Sequence, residues 1–385
     1  MKFIHLADIH LGKYQNSKSE RYIDFFTAFE KIIDYTIEKK ADFIVCAGDF
    51  FDTKMINATT LNKSVNLLSR LKEAGIPFYA TEGNHDRAYY LEKDSWLCYL
   101  SDNGFINLLK PDLTPDGADI SNAILETDDY RIIGLGYNGA ATKKRIEEFT
   151  SSVDKANKFT VILLHAALIG QIAEDMAGVE KEQLLSLAGK GSYLALGHIH
   201  KHYSIENIYN PGSIEYVSIE EAKRGDKKGF LFIDTDSGVE FIPVLPREHL
   251  FLEEKVYKDD TTDSVFKKLS DKITDPKEPV INIELFSDNE LTLKNVDTVL
   301  LTEQIEEKYQ AVSVTINTHV IGSDGKAFTF ADKPEIEKDV LFNMYFEKGY
   351  DEDAAKKLTE FTIGLKEGVL AEEIVDDALS LLGEI

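Results

Sequence analysis

Five short apolar runs in this chain each end on residues with chemistry to offer, and that coupling constrains the fold more than any other property of the sequence. The runs are Lys2 to Ala7, Phe43 to Ala47, Ile76 to Thr81, Thr160 to Leu164 and Ser192 to Leu196. They lead into Asp8-x-His10, Gly48-Asp49, Gly83-Asn84-His85-Asp86, His165 and Gly197-His198-x-His200. Runs this short and this apolar read as strands buried on both faces. Between them lie segments near the helical period: Glu20 to Lys40, with Ile23, Phe26, Ile33 and Ile37, and Asn57 to Lys72, with Leu61, Val65 and Leu68. Strands alternating with helices predict an α/β (α+β) fold, a layered core with helices packed outside.

Beyond these runs, Pro111 to Asp129 reads as loop with an edge hairpin, and strands resume at Arg131 to Leu135. Gly229 to Asp234 and Val239 to Leu245 form a predicted hairpin closed by Asp236-Ser237-Gly238. Pro246-Arg247 marks a boundary. Four segments are thus expected: a catalytic domain over 1–247, a small α/β domain over 248–321, a linker over 322–334 and a helical segment over 335–385. The last is too short to bury a core alone, so it is expected to dock on something. At 385 residues and 43% hydrophobic the chain has ample core material, and no apolar stretch approaches the roughly 20 residues a membrane span needs. Met1 to His10 runs straight into a ligand-bearing strand, with no room for a signal peptide. Cys46 and Cys98 offer no disulfide framework. The cytoplasm is the expected location, with nucleoid association if the source is prokaryotic.

In a strand, residues two apart share a side, so Asp8 and His10 are expected to converge on one ion while Ile9 faces away; His198 and His200 would do the same. Carboxylate, amide and imidazole ligands without thiolate suit Mn, Mg or Fe, with Zn also acceptable. Asp49 follows a Gly that permits a sharp turn, and its two oxygens suit it to bridge two ions. Two ions roughly 3.5 to 4 Å apart would clamp a phosphoryl group and lower the pKa of bound water. His85, next to Asn84, is placed to stabilise the scissile phosphate or protonate the leaving oxygen. Asp52 and Asp86 are candidates to orient that imidazole or to steer contacts behind the ligands. Singly, each motif has a plainer explanation, Gly-Asn-His-Asp being a good turn. Jointly, five of the nine histidines fall into one ordered set at strand ends. His5, His202, His249 and His319 are read as structural.

The ordered set, with Asp52 following Gly48-Asp49, resembles the calcineurin-like metallophosphoesterase superfamily with no ligand missing. Ala7-Asp8-Ile9-His10-Leu11-Gly12, Ala47-Gly48-Asp49-Phe50-Phe51-Asp52 and Asn210-Pro211-Gly212-Ser213 with Glu215 are similar to one branch, the SbcD and "meiotic recombination eleven" DNA-repair nucleases. The resemblance covers residues 1 to about 245. It implies a four-layer sandwich of two β-sheets flanked by helices, a DNA-facing capping domain, and a C-terminal helical segment that binds an SMC-like ATPase of the SbcC or "Rad-fifty" type. It further implies two Mn2+ per chain, one held by Asp8, His10, Asp49 and His200, the other by Asp49, Asn84, His165 and His198. His85 would be the catalytic residue that is not a ligand. Some relatives carry histidine at the place of Asp52. Homodimerisation would use Asn57 to Lys72, including Leu61 and Val65, and Leu91 to Ser101, including Trp96, Leu97 and Leu100; ordinary core packing accounts for those apolar faces equally well.

The formal charge of −25 points away from a general nucleic-acid coat, because phosphate neutralisation by Lys and Arg supplies most such binding. A partner that supplies the basic surface would account for it. Local cations near the motifs, Lys13, Arg21, Arg87, Lys201 and the run Lys223, Arg224, Lys227, Lys228, are DNA-contact candidates; the run is equally a solvated turn around Gly225. Three functions follow: a Mn-dependent nuclease, 3′-5′ exonuclease and endonuclease, at DNA ends; a two-metal phosphatase or phosphodiesterase on a small phosphoester; or a DNA-end-binding scaffold that regulates an ATPase.

Overall fold

A computed structural model describes residues 1–321, 327–330 and 358–359, except 16–17, 90–91, 115–116, 156, 171–177 and 275–276. Two six-stranded sheets carry the N-terminal two thirds of the chain. The first runs in the order Gly238–Pro243, Gly229–Asp234, Lys2–Leu6, Phe43–Cys46, Phe78–Ala80, Asn107–Leu108. The second runs Tyr203–Ile205, Ile208–Asn210, Tyr193–Gly197, Phe159–His165, Tyr130–Gly134, Ile124–Glu126. Lys2–Leu6 pairs parallel with Phe43–Cys46 and antiparallel with Gly229–Asp234, so the hairpin closes one edge of a parallel core.

Strand alternation explains why the runs are apolar throughout. In the first sheet Phe3, Phe43, Val45 and Tyr79 face one way and Ile4, Leu6, Ile44 and Cys46 the other. In the second, Val161, Leu163, Tyr193 and Ala195 meet the first group, while Ile162, Leu164, Leu194 and Leu196 turn outward. The sheets thus pack face to face, with Phe43 against Tyr130 at 4.5 Å between ring centroids and Phe3 against Tyr193 at 5.3 Å. Helices Ser19–Lys39, Ala58–Glu73 and Trp96–Asp102 cover the outer face of the first sheet; Thr142–Ser152 and Lys181–Ala188 cover that of the second. This is the four-layer sandwich. His5 is wholly buried between the sheets, with Nδ1 2.9 Å from the Tyr193 hydroxyl, and burial pushes its pKa down to about 3, as befits a structural histidine.

Two expectations for individual elements change. The helix Ser19–Lys39 buries Tyr22, Phe25, Phe26, Phe29, Ile32 and Ile33, leaving Ile23 half exposed. The stretch expected as a linker, 322–334, contains a strand, Ala327–Phe330, paired antiparallel with Ser313–Ile321. Its alternating Ala-Phe-Thr-Phe suits a sheet; the Gly and charged residues around it hid that pattern. These two strands belong to a four-stranded sheet with His249–Lys255 and Val280–Ser287. The chain divides into two compact units: Met1–Glu254, Asp260–Ile283 and Val296–Ile316 form one; Lys255–Asp259, Glu284–Asn295 and the described residues from Asn317 on form the other. Leu97 and Leu100 sit in the core, and Leu61, Val65 and Trp96 are partly buried against it. Leu91 and the segment 335–385, save Leu358 and Thr359, lie outside the described residues.

Candidate metal centre

The site forms just beyond the C-terminal ends of strands from both sheets. Backbone hydrogen bonds zip residues 8–11 to 48–50: the Asp8 amide donates to Gly48 O, Ile9 and His10 to Asp49 O, Leu11 to Phe50 O. Asp8, His10, Asp49 and His198 all adopt positive φ, between 49° and 96°. Asp8 and His10 therefore converge through a left-handed loop. The strand alternation expected of them ends at Leu6, and at Gly197 for the histidine pair.

Ligand-type atoms gather in three groups, Asp8 with His10 and His200, Asp49 with His165 and His198, and His10 with Asp52 and His85, each within 4.8 Å; the first two hold the expected ligands. His10 Nε2 lies 3.2 Å from His200 Nε2; His165 Nε2 and His198 Nδ1 are 3.1 Å apart, and Asn84 Oδ1 is 3.1 Å from both. Asp49 joins the groups: its Oδ2 is 3.3 Å from His165 Nε2 and 3.9 Å from His10 Nε2. Its Oδ1 accepts from the His85 amide at 2.9 Å. One oxygen thus faces both groups and the other holds a backbone, where two bridging oxygens were expected.

What the rings do with their other nitrogens tests whether cations fit. His165 Nδ1 donates to the Ala47 carbonyl at 2.7 Å, His200 Nδ1 faces Glu221 Oε1 at 2.8 Å, and His10 Nδ1 stands 3.2 Å from Asp52 Oδ1. The Ala47 and Glu221 acceptors each fix a proton on the outward nitrogen and turn Nε2 toward its neighbours, whereas His10 Nδ1 stands near Asp52 without a hydrogen bond. Lone pairs that close repel unless something positive lies between them, so the donor set fits a divalent cation. Without a metal, a proton on His165 takes that positive place. Burial would keep His165 neutral, but the Asp49 carboxylate outweighs it and raises the pKa to about 9. Asp49 is itself lowered despite burial because His165, His10 and His85 face it, whereas burial and the charge of His165 lower His198 to about 4.

Other candidates take different places. Asp52 meets His10 and Lys13 with its carboxylate, the latter at 3.2 Å, and His85 Nδ1 with its backbone carbonyl at 2.5 Å. Asp86 does not orient His85. Its buried carboxylate accepts from the amides of Phe50, Phe51 and Gly83 at 2.9 to 3.1 Å, tying two loops together, and burial beside Asp49 raises its pKa to about 7. Arg21 and Lys228, read as DNA-facing cations, are buried and committed. Arg21 bonds Gln15, Asp24, Glu215 and the Tyr216 carbonyl; Lys228 bonds Glu221, Ser213 and the His200 carbonyl. Arg224 is exposed but paired with Asp226 at 2.7 Å, while Arg87, Lys201, Lys223 and Lys227 are exposed. Glu221 escaped the sequence reading, because an acidic residue beside a basic run carries no ligand spacing.

Residues 1–202 match the calcineurin-like phosphoesterases. The chain belongs to that family. It is accordingly a metal-dependent phosphoester hydrolase, and the two ligand groups are where the family's divalent metal has donors to meet. Among curated relatives it is 27% identical to the DNA double-strand break repair protein Mre11 of Archaeoglobus fulgidus, over 97% of this chain and 89% of that one. The Mre11 of Sulfolobus acidocaldarius is 26% identical over 74% and 75% of the two chains, and that of Sulfurisphaera tokodaii 30% over 59% and 57%. No described helix is long and apolar enough to cross a membrane.

Proposed function

We propose that this phosphoesterase is a Mn-dependent DNA nuclease, exonuclease 3′-5′ and endonuclease, that processes ends in double-strand-break repair. Asp49 Oδ2, within 3.3 Å of one imidazole group and 3.9 Å of the other, is the observation that carries the two-ion reading. Asp8, His10, Asp49 and His200 would hold one ion, and Asp49, Asn84, His165 and His198 the second. Bound there, divalent ions supply an acidified water and a clamp for phosphoryl oxygens. The chain supplies position and a proton. Because a carbonyl only accepts, the contact to Asp52 O fixes one proton on His85 Nδ1, and the imidazolium form carries a second on Nε2 that would pass to the leaving oxygen and leave the ring neutral. DNA as substrate is supported by the break-repair name of a relative that spans 97% of this chain.

The test is cleavage of an end-labelled duplex in Mn2+. His85→Ala is expected to keep metal binding and lose activity by roughly 10²- to 10⁴-fold, the usual contribution of a positioned acid. A variant near wild-type rate removes that role, and a wild type that hydrolyses a chromogenic phosphodiester but leaves DNA intact moves the substrate to a small phosphoester. In the same reading, 248–321 is a DNA-facing cap, the segments Asn57 to Lys72 and Leu91 to Ser101 carry a homodimer, and 335–385 binds an SMC-like ATPase, in the cytoplasm or on the nucleoid. Deleting 335–385 is expected to abolish ATPase capture in a pull-down; undiminished capture would place the contact elsewhere.

A further inference from the structure

We propose that Glu221, on the short helix Ile219–Arg224, is the positioning residue for His200, and that buried Lys228 holds Glu221 in place for that task. The inference rests on the two-ion reading and extends it outward by two residues.

His200 is the half-buried member of its group, with Asp8 and His10 fully buried beside it. Its ring meets Glu221 Oε1 from Nδ1 at 2.8 Å and faces His10 from the other edge, with Nε2 3.2 Å from His10 Nε2. That contact decides which nitrogen faces inward, because the carboxylate accepts a proton from Nδ1 and leaves Nε2 as the lone-pair donor beside His10 Nε2. Glu221 is in turn held from several sides. Its Oε2 accepts from Lys228 Nζ at 2.6 Å and from the Val217 amide at 3.1 Å, and Oε1 lies 3.3 Å from the Ser218 hydroxyl. Lys228 is itself fully buried, with Nζ also donating to the His200 carbonyl at 3.0 Å and to Ser213 Oγ at 2.8 Å. One ammonium therefore grips both the carboxylate that aims the imidazole and the backbone of the imidazole's own residue. A buried charge needs paired, hydrogen-bonded partners to be tolerated. Here two of the ammonium's partners, Glu221 and the His200 carbonyl, lead to His200.

The chain of contacts serves one side of the site only. His165, on the other side, is fixed by the Ala47 carbonyl and not by Glu221. Loss of Glu221 should therefore weaken the ion that His200 helps to hold and spare the other.

Titration of the metal-free protein with Mn2+ by calorimetry tests this. Glu221→Ala is expected to weaken one ion by about 10- to 100-fold, the usual effect of removing the acceptor behind a metal-bound histidine, and to leave the remaining affinity at the wild-type value. Glu221→Gln keeps the size and an acceptor oxygen for Nδ1, so it should retain most of the lost affinity; it also decides the matter if the Ala variant does not fold. Wild-type affinities in both variants overturn the proposal. So does an equal loss at every ion in step with a lower unfolding temperature, because that is a packing role. The DNA reading fails on separate ground: a wild type that binds Mn2+ with the predicted sensitivity to Glu221, yet cuts no DNA, leaves the positioning role standing and removes the substrate.

Discussion

Asp8, His10, Asp49 and His198 hold φ of 52°, 49°, 53° and 96°. Such conformations cost non-glycine residues on the order of 1–3 kcal/mol each and persist only where surrounding contacts over-determine them. Here the zipper between residues 8–11 and 48–50 and the clamp of Asp86 on Phe50, Phe51 and Gly83 supply those contacts. Gly48 has φ +91°, and a side chain there would drive into the His165 ring. Gly83 is constrained by space alone, its φ being ordinary: a Cβ would press on the Asp49 carboxylate and amide nitrogen. Gly83→Ala should therefore disturb Asp49 without altering any ligand. The expected outcome is Mn2+ affinity down at least tenfold with a stability loss of about 1–3 kcal/mol, typical of overpacking. Calorimetric titration beside a denaturant melt checks it, and wild-type binding in this variant would show that the loop relaxes freely and that Asp49 is not held by its neighbours.

At the scale of elements, strands were more legible than helix faces or loops. The run Phe43 to Ala47 became Phe43–Cys46 and Ser192 to Leu196 became Tyr193–Gly197, because a strand covered on both sides must be apolar at every position. Helix Ser19–Lys39 was found but rotated: Ile23 looked like core and is half exposed, while Arg21 looked like surface and is fully buried. Its burial depends on residues far along the chain as well as on nearby Gln15 and Asp24. Arg21 meets Glu215 at 3.2 Å, Asp24 Oδ2 at 2.5 Å and the Tyr216 carbonyl at 3.0 Å, and Arg247 grips both oxygens of Asp24 at 2.6 and 2.7 Å. Lys228 was misread for the same reason, its partners Ser213 and Glu221 lying on other elements. The site candidates themselves were legible from residue type and order, and the structure brings Asp8, His10, Asp49, Asn84, His165, His198 and His200 together. Their means of convergence was not legible, since nothing in Asp8-x-His10 announces a left-handed loop.

At the scale of the molecule, the formal charge of −25 has to be reconciled with a polyanionic substrate. Each phosphate a protein neutralises contributes about −0.9 to the slope of log affinity against log salt. With Arg21 and Lys228 buried and Arg224 paired to Asp226, the cations free to meet phosphate near the motifs reduce to Arg87, Lys201, Lys223 and Lys227, which are exposed and form no ion pair among the described residues. DNA binding by the isolated chain should accordingly be weak, with a shallow slope of about −2 to −4. An Arg87→Ala/Lys201→Ala double variant should lower the magnitude of that slope by about 2 if both cations touch phosphate. Lys228→Ala should leave the slope unchanged, because its ammonium is spent on Glu221, Ser213 and His200. Anisotropy titrations of a labelled duplex across a salt series measure all three. An unchanged slope in the double variant removes those residues from the DNA path. A wild-type slope several-fold steeper would mean that the chain carries its own basic track, and the charge would then no longer argue for a partner that supplies one.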